Sequence, residues 1–557
     1  MKKILVFLAV VCSILHPICA QQIPVPNKAQ VRWHKYERTM FLCLDPCTWQ
    51  AREYDNHTTP LGQINPSALN TDQWCEVAQS WGAKMILFVA KHTGGFCWWG
   101  TKSVEYNIMN TPYNKDVLAQ LSASCKKYGL DLGIYVYPGD EAFGSPIGSG
   151  GITADPSLQK AQNKAFRIQM EEVLSNYGPI REIWFDGGCK IDIDDIVEKH
   201  RETAVIFQGK YATLRWSGNE EGIAPYPNWY TLSSDVVSEN PTALHSDPDG
   251  DAYSPLEMNV TFFNNHGHKW FWAPNTDHMV LELEQLINLY YKSVGRGSTF
   301  LLNCTPDTTG LIPDLHVERY REFGDATRAL FDSPLASTKG KGKLVQLDLG
   351  KETTFNQFVL QERIEDGQRI RSYILEASSD GKEWKEVTRG ESVGHKRIEL
   401  FDPYTARYVR IRFPIYKMEP IISNFSLYNV DRKAEKIETE NTFISIGKWD
   451  RNTFSPDKWI DLEIDLTKYV NEVGIYEIVF HTFAHDLSQK SGLQFKDWIV
   501  NIYGRDDTNL ITYDKGRFYI TRSQQTLDDF KTSFKVRVKS EKGLTLGDIQ
   551  MRKIKHK

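Results

Sequence analysis

The chain has 557 residues, too many for one ordinary domain, and two to four domains are expected. With 41% apolar and 25% charged residues the composition is globular. The net charge of −5 gives no support to nucleic-acid or anionic-membrane binding.

In chain order, Lys2-Lys3, an apolar run from Ile4 to Leu15, and Ile18-Cys19-Ala20 form a secretory leader over residues 1–20. Its apolar run is too short to span a bilayer, and no later segment is long and apolar enough to do so. Pro17-Ile18 fits a lipidation signal at Cys19 poorly, so cleavage after Ala20 is expected, with a secreted or periplasmic product. The remaining cysteines are Cys43, Cys47, Cys75, Cys97, Cys125, Cys189 and Cys304, an odd and scattered set that does not make a disulfide framework. There is no CxxC or HExxH spacing, so the sequence offers no zinc site.

From residue 21 to 332 helical and strand patterns alternate. Asp72 to Ala83 reads as a helix and Lys84 to Ala90 as a continuously apolar strand. Leu118, Leu121, Cys125 and Tyr128 stripe a second helix that Gly129 ends, and Leu130 to Tyr137 is the next strand. Phe166, Met170, Val173 and Leu174 mark a third helix, followed by the strand Glu182-Ile183-Trp184-Phe185. Ile196–His200 and Ala204–Phe207 repeat the theme, and Leu283–Val294 with Thr299–Asn303 close it. Apolar strands alternating with amphipathic helices predict a parallel sheet covered by helices, and the number of units predicts a (β/α)8-like barrel. After Ser333-Pro334 the period changes to two, as in Val345, Leu347 and Leu349, with turns such as Ser379-Asp380-Gly381. An all-β sandwich over 333–432 is expected. A second, over 433–557, follows from the alternation of Ile460, Leu462, Ile464 and Leu466.

In a barrel, chemistry sits just past the C-terminal ends of the strands. Trp184-Phe185-Asp186-Gly187-Gly188 places a carboxylate there between aromatics and glycines; the plain alternative is a turn or helix-capping Asp. Arg215-Trp216-Ser217-Gly218-Asn219-Glu220-Glu221-Gly222 puts two carboxylates in a glycine-bounded loop, which could equally be a solvated acidic loop. Ala90-Lys91-His92-Thr93-Gly94-Gly95 ends a strand with a Lys-His pair, although a lone strand-end His is often structural. Glu53, Tyr135, Tyr137, Glu257 and Trp272 occupy similar positions. The aromatic share of 12% adds flat faces suited to stacking on sugar rings. Together these residues are the equipment of glycosidic cleavage: one carboxylate attacks the anomeric carbon and a protonated one donates to the leaving oxygen, about 5–5.5 Å apart in a retaining enzyme. Gly144-Ser145-Pro146-Ile147-Gly148-Ser149-Gly150-Gly151 lacks the Gly-Lys-Ser/Thr ending of a phosphate loop and is read as a loop near the active face.

The residues from 30 to 325 resemble family 29 of the glycoside hydrolases, the α-L-fucosidases. The strand-end segments at 90–97, 182–187 and 215–220 carry the likeness, together with Ser293-Val294-Gly295-Arg296 through Asn303 to Pro306-Asp307. The resemblance implies that Asp186 is the nucleophile. It also implies that Glu220 is the acid/base, as in the branch acting on α-1,3/1,4-linked fucose, with Glu221 as the fallback. It implies sugar-binding roles for Glu53, His92, Tyr135, Trp184 and Arg215, and for Glu257 and Trp272, with no metal and no organic cofactor. Its expected partner is a fucosylated glycan. Two positions depart from the family: Thr93 stands where a second histidine is usual, and Cys43 where many members have a histidine on the first strand. A retaining glycosidase for another sugar and a non-catalytic sugar-binding protein stay open on these residues. Val345-Gln346-Leu347-Asp348-Leu349-Gly350, Tyr373 to Gly381 and Ala406 to Arg412 resemble discoidin-like (F5/8 type C) sandwiches, which bind sugars or brace a barrel.

Overall fold

A computed structural model describes residues 23–434, except 201, 219 and 265–268, and, beyond these, the strands between 438 and 555 with residues 466, 469 and 470. The leader read in residues 1–20 lies outside the described residues.

Eight parallel strands form one sheet: Arg38–Leu42, Met85–Lys91, Asp131–Val136, Ile180–Trp184, Val205–Phe207, Arg215–Trp216, Leu256–Val260 and Thr299–Cys304. The first pairs with both the second and the eighth, so the sheet curls round, and a single parallel bridge from Phe207 to Leu214 joins its two edges. The continuously apolar strands are explained by their two buried faces. Met40, Leu42, Ile86, Phe88, Ile134, Ile183 and Ile206 face outward, in one core with helix residues such as Trp74, Leu118, Phe166 and Met170. Their neighbours Phe41, Leu87, Val89, Tyr135, Trp184, Val205 and Phe207 fill the barrel interior. Helix Lys28–Tyr36 contributes Trp33 to that interior cluster.

The helices are set by their ends. Asn70 caps Thr71–Ser80 by accepting from the backbone of Asp72 and Gln73, and Asp116 caps Val117–Tyr128 through Ala119, with left-handed Gly129 stopping it. The first of these ends three residues short of its predicted end, because the chain turns through Gly82 at φ +82°. Regular alternation fails between the fifth and seventh strands. Residues 208–214 return directly, with Thr213 and Leu214 both donating to the Ile206 carbonyl at 2.8 and 3.0 Å. The described residues of 217–255, a proline-rich segment, hold short 3-10 turns and a small hairpin of Thr231–Leu232 with Ala252–Tyr253.

Arg215 organises that irregular segment. Its side chain is fully buried and donates to the carbonyls of Ser254 (2.6 Å), Trp229 (2.8 Å) and Thr242 (3.2 Å) and to Ser246 Oγ (3.0 Å). Burial pulls its pKa down to about 9, so the guanidinium remains charged near neutrality and answers these backbone dipoles. The sugar-binding role expected for Arg215 is therefore corrected: each of these bonds is internal, and the side chain is not among those lining the cavity at the barrel mouth.

Six antiparallel strands between Ala336 and Tyr428 form the next module. Two of them, Leu344–Glu362 and Arg397–Tyr416, run 19 and 20 residues and bend at register shifts around 348–357, so one sheet wraps a single core of Phe358, Leu360, Tyr373, Leu375, Val409 and Phe425. It packs on the barrel through segment 226–230. Ser392 Oγ and Gln368 Nε2 donate to the Asn228 carbonyl at 2.6 and 2.9 Å, Gln368 Oε1 accepts from the Tyr230 N–H, and Tyr226 lies 4.0 Å under the Arg397 guanidinium. The described strands beyond 434 form two further antiparallel sheets, one built round Leu544–Lys555 and Gly474–Phe483, the other on Ser533–Ser540. The chain is thus a nearly closed parallel barrel followed by antiparallel β-sandwich sheets. No helix among the described residues is long and apolar enough to cross a membrane.

Replacing Arg215 with Met strands the buried carbonyls of Ser254 and Trp229, and a loss of about 2–4 kcal/mol in denaturant unfolding is expected. Wild-type stability combined with weakened sugar binding would restore the ligand-contact role.

Candidate active site

A cavity of about 500 Å³ opens at the C-terminal end of the barrel, within the range of small-ligand sites. The strand period of two builds its floor. Phe41 and Cys43, Tyr135 and Tyr137, and Trp184 and Asp186 each point inward one pleat apart, and Val89, Phe207 and Asn259 join them. Trp184 lies flat on Phe207, with ring centroids 3.9 Å apart and planes 6° from parallel, next to the bridge that joins the sheet edges.

Asp186 stands at the cavity wall. Tyr135 Oη donates to its Oδ2 at 3.1 Å, which supports the anion. Burial among these groups still raises the carboxyl above its ordinary range. Burial, and then the Asp186 charge, push the Tyr135 phenol far up, so it stays a neutral donor. The glycines after Asp186 serve backbone approach. Gly188 and Gly209 both have positive φ, and a Cβ on Gly188 would meet Gly209 Cα at 3.0 Å. That approach lets Gln208, held at φ +63°, accept from the Gly187 N–H at 2.8 Å.

Across the cavity Trp270 binds two acids. Its indole N–H donates to Glu220 Oε2 at 3.3 Å, and its backbone N–H to Glu53 Oε2 at 3.2 Å. Tyr54 registers all three carboxylates: burial raises its phenol, and Glu53, Asp186 and Glu220 raise it further. His92 packs against Tyr54, Tyr135 and Phe271, and burial lowers its pKa to about 4, so the ring is neutral near pH 7.

Of the residues singled out in the sequence, Asp186, Glu220, Glu53, His92, Tyr135 and Trp184 all line this one cavity. Glu221, the fallback acid, instead forms an antiparallel bridge with Val260 away from the lining, and Asn219 lies outside the described residues. Glu257 is corrected from sugar ligand to buried support. It is fully buried one pleat below Asn259, and its carboxylate accepts from Trp184 Nε1 at 2.8 Å and Trp33 Nε1 at 3.2 Å. Burial, and then the Glu257 charge, drive the neighbouring Glu182 well above the carboxylate range, so Glu182 holds a proton. Trp270 and Phe271 line the wall, and the half-buried Trp272 follows them in the chain.

Sequence reasoning passed over Trp270, Asn259 and Tyr54, and it quoted Trp216 within a motif without giving it a role. For Asn259 the signal was available, since it follows Glu257 by one period toward the strand's C-terminal end. Trp216 follows Arg215 on the same short strand and donates to Asn259 Oδ1 at 3.1 Å. No local pattern marks Trp270 or Tyr54. Ile147 and Gly148 also line the cavity, and the Gly148 N–H donates to Tyr137 Oη at 2.5 Å, which places the glycine-rich loop at the active face. Cys43 lines the wall, whereas Thr93 is buried behind His92 with Oγ1 3.4 Å from its Nδ1.

Comparison with known proteins agrees with this arrangement. The family model described as alpha-L-fucosidase matches residues 28–329, and that of the F5/8 type C domain matches 326–423. Alpha-L-fucosidase 1 of Arabidopsis thaliana is 28% identical over 473 residues, covering 75% of this chain and 90% of its own length. A solved structure from Bacteroides thetaiotaomicron assigned to the α-L-fucosidases is 32% identical, covers 74% of this chain and 100% of itself, and superposes with a TM-score of 0.68. A family 29 fucosidase of Ruminococcus gnavus, solved in complex with fucose, shares the fold at 24% identity and a TM-score of 0.65, over 74% of this chain and 96% of its own. The chain belongs to the α-L-fucosidase family, family 29 of the glycoside hydrolases.

Proposed function

We propose that the protein removes terminal α-linked L-fucose, with a preference for α-1,3/1,4 linkages, by double displacement with retention. The observation that carries this reading is the convergence of Asp186 and Glu220 on one cavity lined by aromatic rings. Asp186 attacks the anomeric carbon while Glu220 protonates the departing oxygen; Glu220 then activates the water that releases the sugar. The Tyr135 hydrogen bond favours the ionised form of Asp186 against the cost of burial. Glu53 and neutral His92 are placed to bind sugar hydroxyls, and Trp184 and Trp270 offer faces to the ring. The leader read in residues 1–20 supports a secreted or periplasmic location.

Asp186→Ala is expected to lower turnover of an aryl α-L-fucoside by about 10⁴-fold or more. Near-normal activity would remove it as nucleophile, and turnover of a different aryl glycoside in its place would redirect the sugar assignment.

Glu220→Ala is expected to cost about 10²–10⁴-fold on a fucosylated trisaccharide and much less on a dinitrophenyl fucoside, whose leaving group needs no proton. Added azide should then yield a fucosyl azide. The same pattern in Glu221→Ala, and not in Glu220→Ala, would move the role to Glu221.

Tyr135→Phe removes a hydrogen bond that lowers the Asp186 pKa. The acid limb of kcat/KM, which tracks ionisation of the free nucleophile, should move to higher pH. An unmoved or lowered limb would contradict the assignment.

A further inference from the structure

Just past the first barrel strand, residues 45–47 carry chemistry that sugar cleavage does not use. Cys47 and Asp45 are buried, at 0% and 1% exposure, and Cys47 Sγ donates to Asp45 Oδ2 at 3.0 Å. His92, 45 positions later, brings its Nδ1 to 4.0 Å from the same sulfur. One ligand atom from each of the three lies within 4.8 Å of the others. On a tetrahedral ion with metal–sulfur and metal–nitrogen bonds of about 2.3 and 2.0 Å, two such ligands stand about 3.5 Å apart, so small side-chain adjustments close the site.

We propose that Asp45, Cys47 and His92 bind a borderline-soft divalent cation of the zinc class. The donor set argues for that class, since thiolate, imidazole and carboxylate together are zinc ligands, whereas magnesium and calcium take oxygen alone. Surrounding groups orient the site. Asp55 stands close enough to act electrostatically on both Asp45 and His92, and it is held by Gln50 Nε2 at 2.7 Å, the His57 N–H at 2.8 Å and Tyr106 Oη at 2.7 Å. His92 also lines the sugar cavity, so the three ligands lie directly behind that wall. On binding, the cation replaces the thiol proton of Cys47, which leaves to solvent. An ion on Nδ1 also fixes the imidazole as an Nε2–H donor. Sequence spacing concealed the site because two of its ligands follow the first strand and the third ends the second.

Cobalt(II) is the probe, titrated into the full chain in a phosphine reductant. The expected result is a near-ultraviolet thiolate-to-cobalt band that saturates at one ion per chain and is displaced by zinc. Cys47→Ala should abolish the band, Asp45→Asn should weaken binding at least about tenfold, and Cys189→Ala should leave it intact. Absence of the band in the wild-type protein, or its persistence in Cys47→Ala, would overturn the proposal. Zinc-edge X-ray absorption on the wild-type chain needs no variant to fold: one sulfur with nitrogen and oxygen neighbours supports the site, and a sulfur-free shell rejects it.

Discussion

The structure depends on how the barrel closes. Its last gap, between the fifth and sixth strands, is joined by the single bridge from Phe207 to Leu214, and Trp184 stacks on Phe207 at that point. One strand end therefore carries both a piece of the closure and, two residues on, the Asp186 carboxylate. Glu257 secures the same tryptophan from below through its indole N–H. The nucleophile candidate is thus placed by rigid packing, which a reacting group needs if it is to meet its target in a fixed geometry.

The other acid reaches the cavity by a different route. Glu220 lies on a long irregular segment without a helix of its own, and such a segment is fixed only by what it touches. Arg215 ties it inward through the carbonyls of Trp229, Thr242 and Ser254, and the F5/8 type C module holds residues 226–230 from outside through Gln368, Ser392 and Arg397. A buried guanidinium and a second module packed beside the barrel thereby share one mechanical task. Trp270 then joins Glu220 and Glu53 across the opening.

Much of this was legible in the sequence, for identifiable reasons. Parallel strands with two buried faces leave continuous apolar runs, so the barrel and its strand ends could be read, and with them Asp186, Trp184, Tyr135 and His92. The change to period two after Ser333 announced the sandwich. What failed were features without local periodicity. The helix missing between the fifth and sixth strands left no pattern to find. Arg215 looked like a ligand residue because charge at a strand end is ambiguous until its partners are known. Glu257 was misplaced by one pleat, the smallest error a period of two allows. Tyr54 and Trp270 arrive from loops, where only the folded chain reveals the meeting.

The most direct test of the account is the anomeric form of the sugar at the instant of release. If Asp186 forms a covalent glycosyl intermediate that Glu220-activated water resolves, proton NMR of the first turnovers of an aryl α-L-fucoside will show α-L-fucose, which then mutarotates. Initial appearance of β-L-fucose would mean a single displacement by water and would contradict the roles given to both carboxylates.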